Sequence, residues 1–387
     1  MKKFLVVLLF LSVVLSACGS RPTVSSTQTA QTPSETPTIA DTPTPLPTDT
    51  PTIAPTLPYP VEGYGPSNFP ASVDPLTGLQ DANPALLQRR PMVIKVQNLP
   101  RDGRPQWGLS LADIVFEYYT EEGTTRFAAV FYGNDASMVG PIRSGRFIDA
   151  DIVRGYKAMF AFGSAYVTEM KRFLSSDFAN RMVLEGSSTP LTRYDPSGYD
   201  YLMVNTADLS AYATKKGLNA VQDLNGMSFN LAAPAGGQPG TQVYVRYSGA
   251  IYNRWDYDTA SGTYLRYSDT VDANNGVQGE QYAQLTDRLT NQPIASDNVV
   301  VLYVDHELYA PNIYDILLSG SGDAYAFRDG QVYKVKWHRN VTDVVSLTNP
   351  DGTLFAFKPG NTWFEVIGLK STVKQTDQSW RFTHLMP

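Results

Sequence analysis

The chain has 387 residues, 31 Lys+Arg against 37 Asp+Glu, a net charge of −6 and one cysteine. So mildly acidic a chain carries no basic footprint for nucleic acid. A lone thiol near the N-terminus excludes disulfides and cysteine-nucleophile chemistry from the folded part, and the length left over suffices for two domains.

Residues 1–17 read as a cleavable lipoprotein signal. Lys2 and Lys3 supply a positive start, residues 4–15 are almost wholly apolar, and Ser16 and Ala17 are small enough for a signal-peptidase groove. About a dozen apolar residues cannot cross roughly 30 Å of hydrocarbon. Cys18 stands where the mature chain would begin. Lipidation there, by palmitate-type acyl chains, is expected to anchor an exported protein to the outer face of the cell membrane. No later apolar run reaches the roughly 18 residues of a spanning helix. Residues 18–60 are dominated by Thr, Pro and Ser with recurring Thr-Pro pairs, which bury little and lack donors. They are expected to form a disordered tether, reaching roughly 120 Å at about 3.1 Å per residue.

The folded body starts near Asp74. Met92–Gln97 reads as a strand, 98–105 as a Pro- and Gly-containing loop, and 108–113 as a helical turn. Ile114–Tyr119 and residues 124–131 are short, β-branched and aromatic, as buried strands are. Phe147–Gly155 and 166–174 have helical spacing, with a strand-like 158–162 between them. Thr206 is placed as an N-cap and Gly217 as a C′ residue around a further helix.

After Gly226 bulky and polar residues alternate. Residues 243–247, 251–255 and 263–267 read as strands, the last two joined by a turn over 258–262. Residues 299–304 form a fully apolar strand. Asp329-Gly330 marks a hairpin between 324–328 and 331–337, Asp351-Gly352 leads into 354–357, and 362–367 closes the pattern. The fold class is therefore α+β: a mixed α/β N-terminal domain over 73–225, then a mostly antiparallel β-rich C-terminal domain over 226–387.

An ordered string of motifs carries a family resemblance. Pro75-Leu-Thr-Gly-Leu79, Arg90-Pro-Met-Val-Ile94, Arg104-Pro-Gln106, Ala112-Asp-Ile-Val-Phe-Glu117, Thr125-Arg-Phe127 and Gly140-Pro-Ile-Arg-Ser-Gly-Arg146 resemble the YerB family of bacterial lipoproteins. Ala324-Tyr-Ala-Phe-Arg-Asp-Gly-Gln331 and Thr362-Trp-Phe-Glu-Val366 are similar to that family's C-terminal domain, so the resemblance spans about 73–368. Gly145 departs from it, where Ala is expected. The resemblance implies a two-domain envelope lipoprotein and no particular reaction.

The most distinctive polar cluster is Arg143-Ser144-Gly145-Arg146. Guanidiniums beside a turn clamp a carboxylate or phosphate bidentately, and Arg126 and Arg104 are expected to converge on the same place. Glu117 sits on a strand that reads as buried. It pairs there with one of these arginines, or it lines an anion-binding groove. Ser144 and Ser164 lack a nucleophile elbow, leaving only a Ser–Lys dyad with Lys95 or Lys157 formally open. His306, His338 and His384 show no zinc spacing, and Asp305-His306-Glu307 offers a weak cation site at most. No metal or cofactor is expected.

These features favour a non-catalytic, lipid-anchored binding protein. Arg104, Arg126, Arg143, Ser144 and Arg146 are its ligand-binding residues, and a peptidoglycan component or envelope protein is the partner. The alternative is an enzyme cutting wall polysaccharide with Glu117 as the acid. A scaffold presenting aromatic strands of the C-terminal domain is a third reading.

Overall fold

A computed structural model describes residues 59–195 and 201–386. The expected signal segment, Cys18 and nearly all of the tether lie outside these residues. The described body opens with a turn after Pro60 and a bridge from Tyr64 to Phe229, followed by a turn at Asp74 and a short 3-10 segment, Pro84–Gln88. Three strands follow: β1 (Met92–Gln97), β2 (Ile114–Tyr119) and β3 (Thr125–Phe131). Then come α1 (Phe147–Gly155), β4 (Met159–Ala161), α2 (Val167–Leu174) and β5 (Met182–Val183). A small ribbon of β6 (Leu191–Arg193) and β7 (Leu202–Val204) precedes α3 (Thr206–Lys215). Asn205, not Thr206, caps α3 by accepting from the Ala207 amide at 2.8 Å. Thr206 turns inward instead and receives the Ala136 amide.

The C-terminal half is nearly all strand. It runs β8 (Gln238–Pro239), β9 (Gln242–Arg246), β10 (Tyr252–Asp258), β11 (Thr263–Asp269), β12 (Tyr282–Gln284) and β13 (Ala295–Ser296). It continues with β14 (Asn298–Val304), β15 (His306–Ala310), β16 (Ile313–Ile316), β17 (Gly320–Arg328), β18 (Gln331–Arg339) and β19 (Ser346–Thr348). It ends with β20 (Thr362–Gly368), β21 (Thr372–Thr376) and β22 (Ser379–Thr383). The Asp329-Gly330 hairpin forms as its sequence requires, both residues having positive φ. Residues 354–357 pair only through isolated bridges.

An 11-stranded mixed sheet dominates, in the order β19-β18-β17-β14-β20-β2-β3-β1-β4-β5, with β8 joined to β18. β20 lies between β14 and β2 and is parallel to both. The sheet thus passes without a break from strands of the first half to strands of the second. On one face Val93, Phe116, Val300, Leu302 and Phe364 pack under α1 and α2, which contribute Ile148, Ile152 and Phe173. On the other face Val115, Phe127, Val301 and Trp363 meet Val243, Val245, Trp255 and Phe382 of a second, 7-stranded sheet. The molecule is α+β, with helices, large sheet and second sheet stacked as layers.

Candidate functional site

Alternation along β1, β2 and β3 decides which polar residues can meet. Successive side chains of a strand point to opposite faces. β2 and β3 are antiparallel, with Tyr118 opposite Arg126 and Glu117 opposite Phe127. Lys95, Tyr118 and Arg126 therefore share the face covered by α1. Glu117 shares the opposite face with Phe127 and looks toward the second sheet. This parity turns Glu117 away from Arg126, and its ion pair is with Arg266 rather than with Arg104, Arg126, Arg143 or Arg146, which corrects that expectation.

On the α1 face the side chains form two tiers. Innermost, Lys95 is fully buried, its ammonium 3.3 Å from Asp149 Oδ1 and in contact with the Tyr118 hydroxyl, which also donates to Asp149. Asp149 Oδ2 accepts the Arg146 amide at 2.6 Å, which ties this tier to the start of α1. Burial pulls the Lys95 ammonium down to about 7, against the opposing charge of Asp149; the nearby Arg126 and Arg146 add to the fall. Burial likewise pushes the Tyr118 hydroxyl well up, reinforced by Asp149.

The outer tier is a carboxylate held between two guanidiniums. Glu121, in the loop after β2, takes Arg146 Nε on Oε2 at 2.7 Å and Arg146 Nη2 on Oε1, where Arg126 Nη2 also donates at 3.0 Å. Arg126 Nη1 reaches the Ser144 carbonyl at 3.1 Å, and Ser144 and Ser164 share a hydroxyl–hydroxyl bond of 2.8 Å. The Arg146 guanidinium lies over the exposed Tyr166 ring at 5.0 Å. Arg143 is fixed through its backbone, its amide donating to the Lys95 carbonyl at 2.9 Å. Burial lowers the Arg126 guanidinium to about 10, with the charges of Arg146 and Arg143 pressing in the same direction and Glu121 resisting. Burial alone would raise the Glu121 carboxyl, but the hydrogen bond from Arg146 and the charges of Arg126 and Arg146 outweigh it, and the net shift is down.

Arg126, Arg143, Ser144 and Arg146 thus come together as the sequence suggests, and Arg104 does not join them. Its guanidinium is spent on Asp269, through Oδ2 at 3.1 Å and Oδ1 at 3.2 Å, and on the Asn98 carbonyl at 2.8 Å. Arg101 meets the same Asp269 at 2.6 Å. Asp269 ends β11, so this pair staples the 98–105 loop to the second sheet. Gly145 lets the turn approach closely: a Cβ there would lie 2.9 Å from Phe173.

Glu117 belongs to an interior network. It is 0% exposed and accepts from Arg266 Nη2 at 2.6 Å, Thr125 at 2.7 Å and Asn98 at 3.0 Å. Its register partner Glu365 on β20 binds Arg266 Nη1 at 3.1 Å, the Trp255 indole at 2.9 Å and Tyr247 at 3.0 Å. The Arg266 guanidinium lies within 5.4 Å of the rings of Phe127, Trp255 and Trp363. Burial pushes the Glu117 carboxyl up, Arg266 opposes and Glu365 adds to the rise. A glycosidic oxygen has no path to this carboxyl, so the geometry overturns Glu117 as a wall-cutting acid. Arg266 and Glu365 lie far along the chain from Glu117; the β2–β20 pairing brings in Glu365, and packing of the second sheet, through β11, brings in Arg266. His306 is also turned inward, its Nδ1 on the Val304 carbonyl at 2.9 Å, so Asp305-His306-Glu307 does not present three ligands to a cation.

Residues 76–219 match the family model described as the protein of unknown function (DUF3048) N-terminal domain, and residues 243–364 match the DUF3048 C-terminal domain. The chain is 29% identical over 307 residues to YerB of Bacillus subtilis (strain 168), whose name provisionally classes it as a lipoprotein. That similarity covers 76% of this chain and 85% of the relative. It is also similar to the crystal structure of YerB from Bacillus subtilis, with a TM-score of 0.64 and 27% identity over 76% of this chain and 96% of that one.

Proposed function

The chain belongs to the DUF3048 family, and on that basis we propose an exported, lipid-anchored envelope protein that binds an anionic group at Arg126, Arg143 and Arg146 without catalysing a reaction. The group is a carboxylate of a peptidoglycan component or of an envelope protein. The lipoprotein name of the Bacillus relative supports the anchoring, together with the apolar leader and Cys18.

The observation that carries the binding reading is Glu121. A carboxylate from the chain's own loop lies between the Arg126 and Arg146 forks, in the geometry that an external carboxylate would take. The loop side chain is reached by solvent, at 14% exposure, so displacement by a ligand opens no core. Tyr166, half exposed beside Arg146, offers a ring against which a sugar or peptide can lie.

Binding of purified muropeptides with free carboxylates to the soluble body tests this. Arg126→Ala with Arg146→Ala is expected to weaken binding at least about tenfold, roughly 1.4 kcal/mol. Arg126→Lys with Arg146→Lys keeps the charge but loses the fork, so it falls between the two. Glu121→Gln, which weakens the internal competitor, is expected to tighten it. Equal retention by all four proteins removes the arginine cluster from the proposal. Anchoring is checked separately: Cys18→Ala is expected to move the protein from the membrane fraction to the soluble one.

A further inference from the structure

A second charged cluster lies at the other end of β2. Asp74 opens the turn before Pro75. Its Oδ1 accepts the Leu76 amide at 2.8 Å, while its Oδ2 is buried without a hydrogen-bond partner in a residue only 2% exposed. Asp81 repeats the pattern, with Oδ1 on the Asn83 amide at 2.7 Å and Oδ2 buried and unpartnered. Both bare oxygens face Gly133: a Cβ at that position would lie 2.6 Å from Asp74 Oδ2 and 2.8 Å from Asp81 Oδ2.

The neighbours supply no compensating donor. Asp113 adds a third carboxylate, already taken up by the amides of Tyr132 at 2.5 Å and Gly133 at 3.1 Å and by Asn134 at 3.2 Å. Arg89 is the nearby cation, but its guanidinium is directed to Asp135 at 2.5 Å and to the Asn134 and Tyr132 carbonyls. A cavity of about 340 Å³ adjoins the pair, lined also by Ser110, Asn134 and Asn361. Two unpartnered carboxyl oxygens brought together beside Gly133 call for a positive partner, a cation or a shared proton.

We propose that Asp74 and Asp81 hold a divalent cation beside Gly133, with Ca²⁺ the ion that fits best. The donors are hard oxygens, which suit Ca²⁺ or Mg²⁺ and not the soft or imidazole-seeking metals. Among the described residues no three His, Cys, Asp or Glu side chains form a metal-holding group, so water in the cavity and backbone carbonyls complete the shell. Such a sparsely charged site binds weakly, with a dissociation constant on the order of 10⁻⁴–10⁻³ M. A side chain at position 133 would drive its Cβ into both oxygens, at 2.6 and 2.8 Å, so glycine keeps that contact clear. The ion would clasp the 74–81 turn to the end of β3.

Calorimetric titration of the EDTA-stripped body with CaCl₂ at pH 7.5 reads this directly, and thermal unfolding with CaCl₂ or EDTA reads the clasp. Saturable binding and a higher Tm with CaCl₂ are expected, with MgCl₂ weaker. Asp81→Asn, on the more exposed of the two carboxylates, should weaken binding at least tenfold and remove the Tm response. The wild-type titration decides the matter even if a variant fails to fold. No saturable heat and no Tm response in wild type overturn the proposal, as would a Tm response that Asp81→Asn leaves intact. A shared proton would then be the positive partner, recognised by stability that rises on acidification and ignores Ca²⁺.

Discussion

Lys95 concentrates the physics of the α1 face in one side chain. It is fully buried, touches Tyr118 and Asp149, and is drawn down from the ordinary lysine value of 10.5 to about 7 chiefly by burial. Above 10.5 both folded and unfolded chains leave it neutral. Between 7 and 10.5 the unfolded chain holds a proton that the folded one has lost, so stability rises with pH across that window. Below 7 the burden of the buried charge is fully present and the dependence flattens. A side-chain carbon titration of Lys95 by NMR is therefore expected to show a midpoint near 7. Lys95→Met should remove the rise in denaturant-measured stability between pH 7 and 10; an unchanged slope would place its origin elsewhere. Nothing in the sequence around Lys95 announces this. The residue stands inside an apolar strand, and its partner Asp149 reaches it only through the packing of α1.

The hairpin of β2 and β3 is the element that creates the candidate site, because its five-residue loop carries Glu121 back over Arg126. The lowered Glu121 carboxyl contributes stability above the unfolded value of 4.5, and that contribution disappears as pH falls through the folded value below it. Glu121 and Arg126 are partly exposed, at 14% and 16%, so solvent screening keeps the contribution to about 1 kcal/mol. Glu121→Gln should be less stable than wild type by that amount at pH 7, and urea midpoints should converge as the carboxylate range is descended. A constant gap would assign the loss to packing. Both strands were legible as apolar runs, and so was the arginine cluster beside the Gly140-Pro141 turn. The pairing register was not legible, and it alone sets Glu117 and Arg126 on opposite faces. The final hairpin of β21 and β22 escaped for a different reason. Residues 372–376 are mostly polar and exposed at a sheet edge, so they lack the apolar alternation that marks a buried strand.

At the scale of the molecule, the two family-matched regions share one sheet, and the Glu117–Arg266–Glu365 network sits where they meet. Glu117 comes from β2, Glu365 from β20 and Arg266 from the second sheet, so the ion group spans both regions and both sheets. Two carboxylates on neighbouring strands repel each other, and Arg266 lets them coexist in a buried place. Arg266→Met keeps most of the apolar bulk against Trp255 and Trp363 but leaves both acids uncompensated, a loss of about 3–5 kcal/mol. Adding Glu117→Gln and Glu365→Gln removes the stranded charges, so the triple variant should recover a large part of that loss although it restores no ion pair. Denaturant unfolding of the wild type, single and triple variants measures this. Because β20 is hydrogen-bonded between β14 and β2, the loss should shift one cooperative transition rather than split it, and fluorescence and circular dichroism should report the same midpoint. Two separated midpoints in Arg266→Met would mean that the halves of the large sheet unfold independently, and that the network joins them without making them one unit.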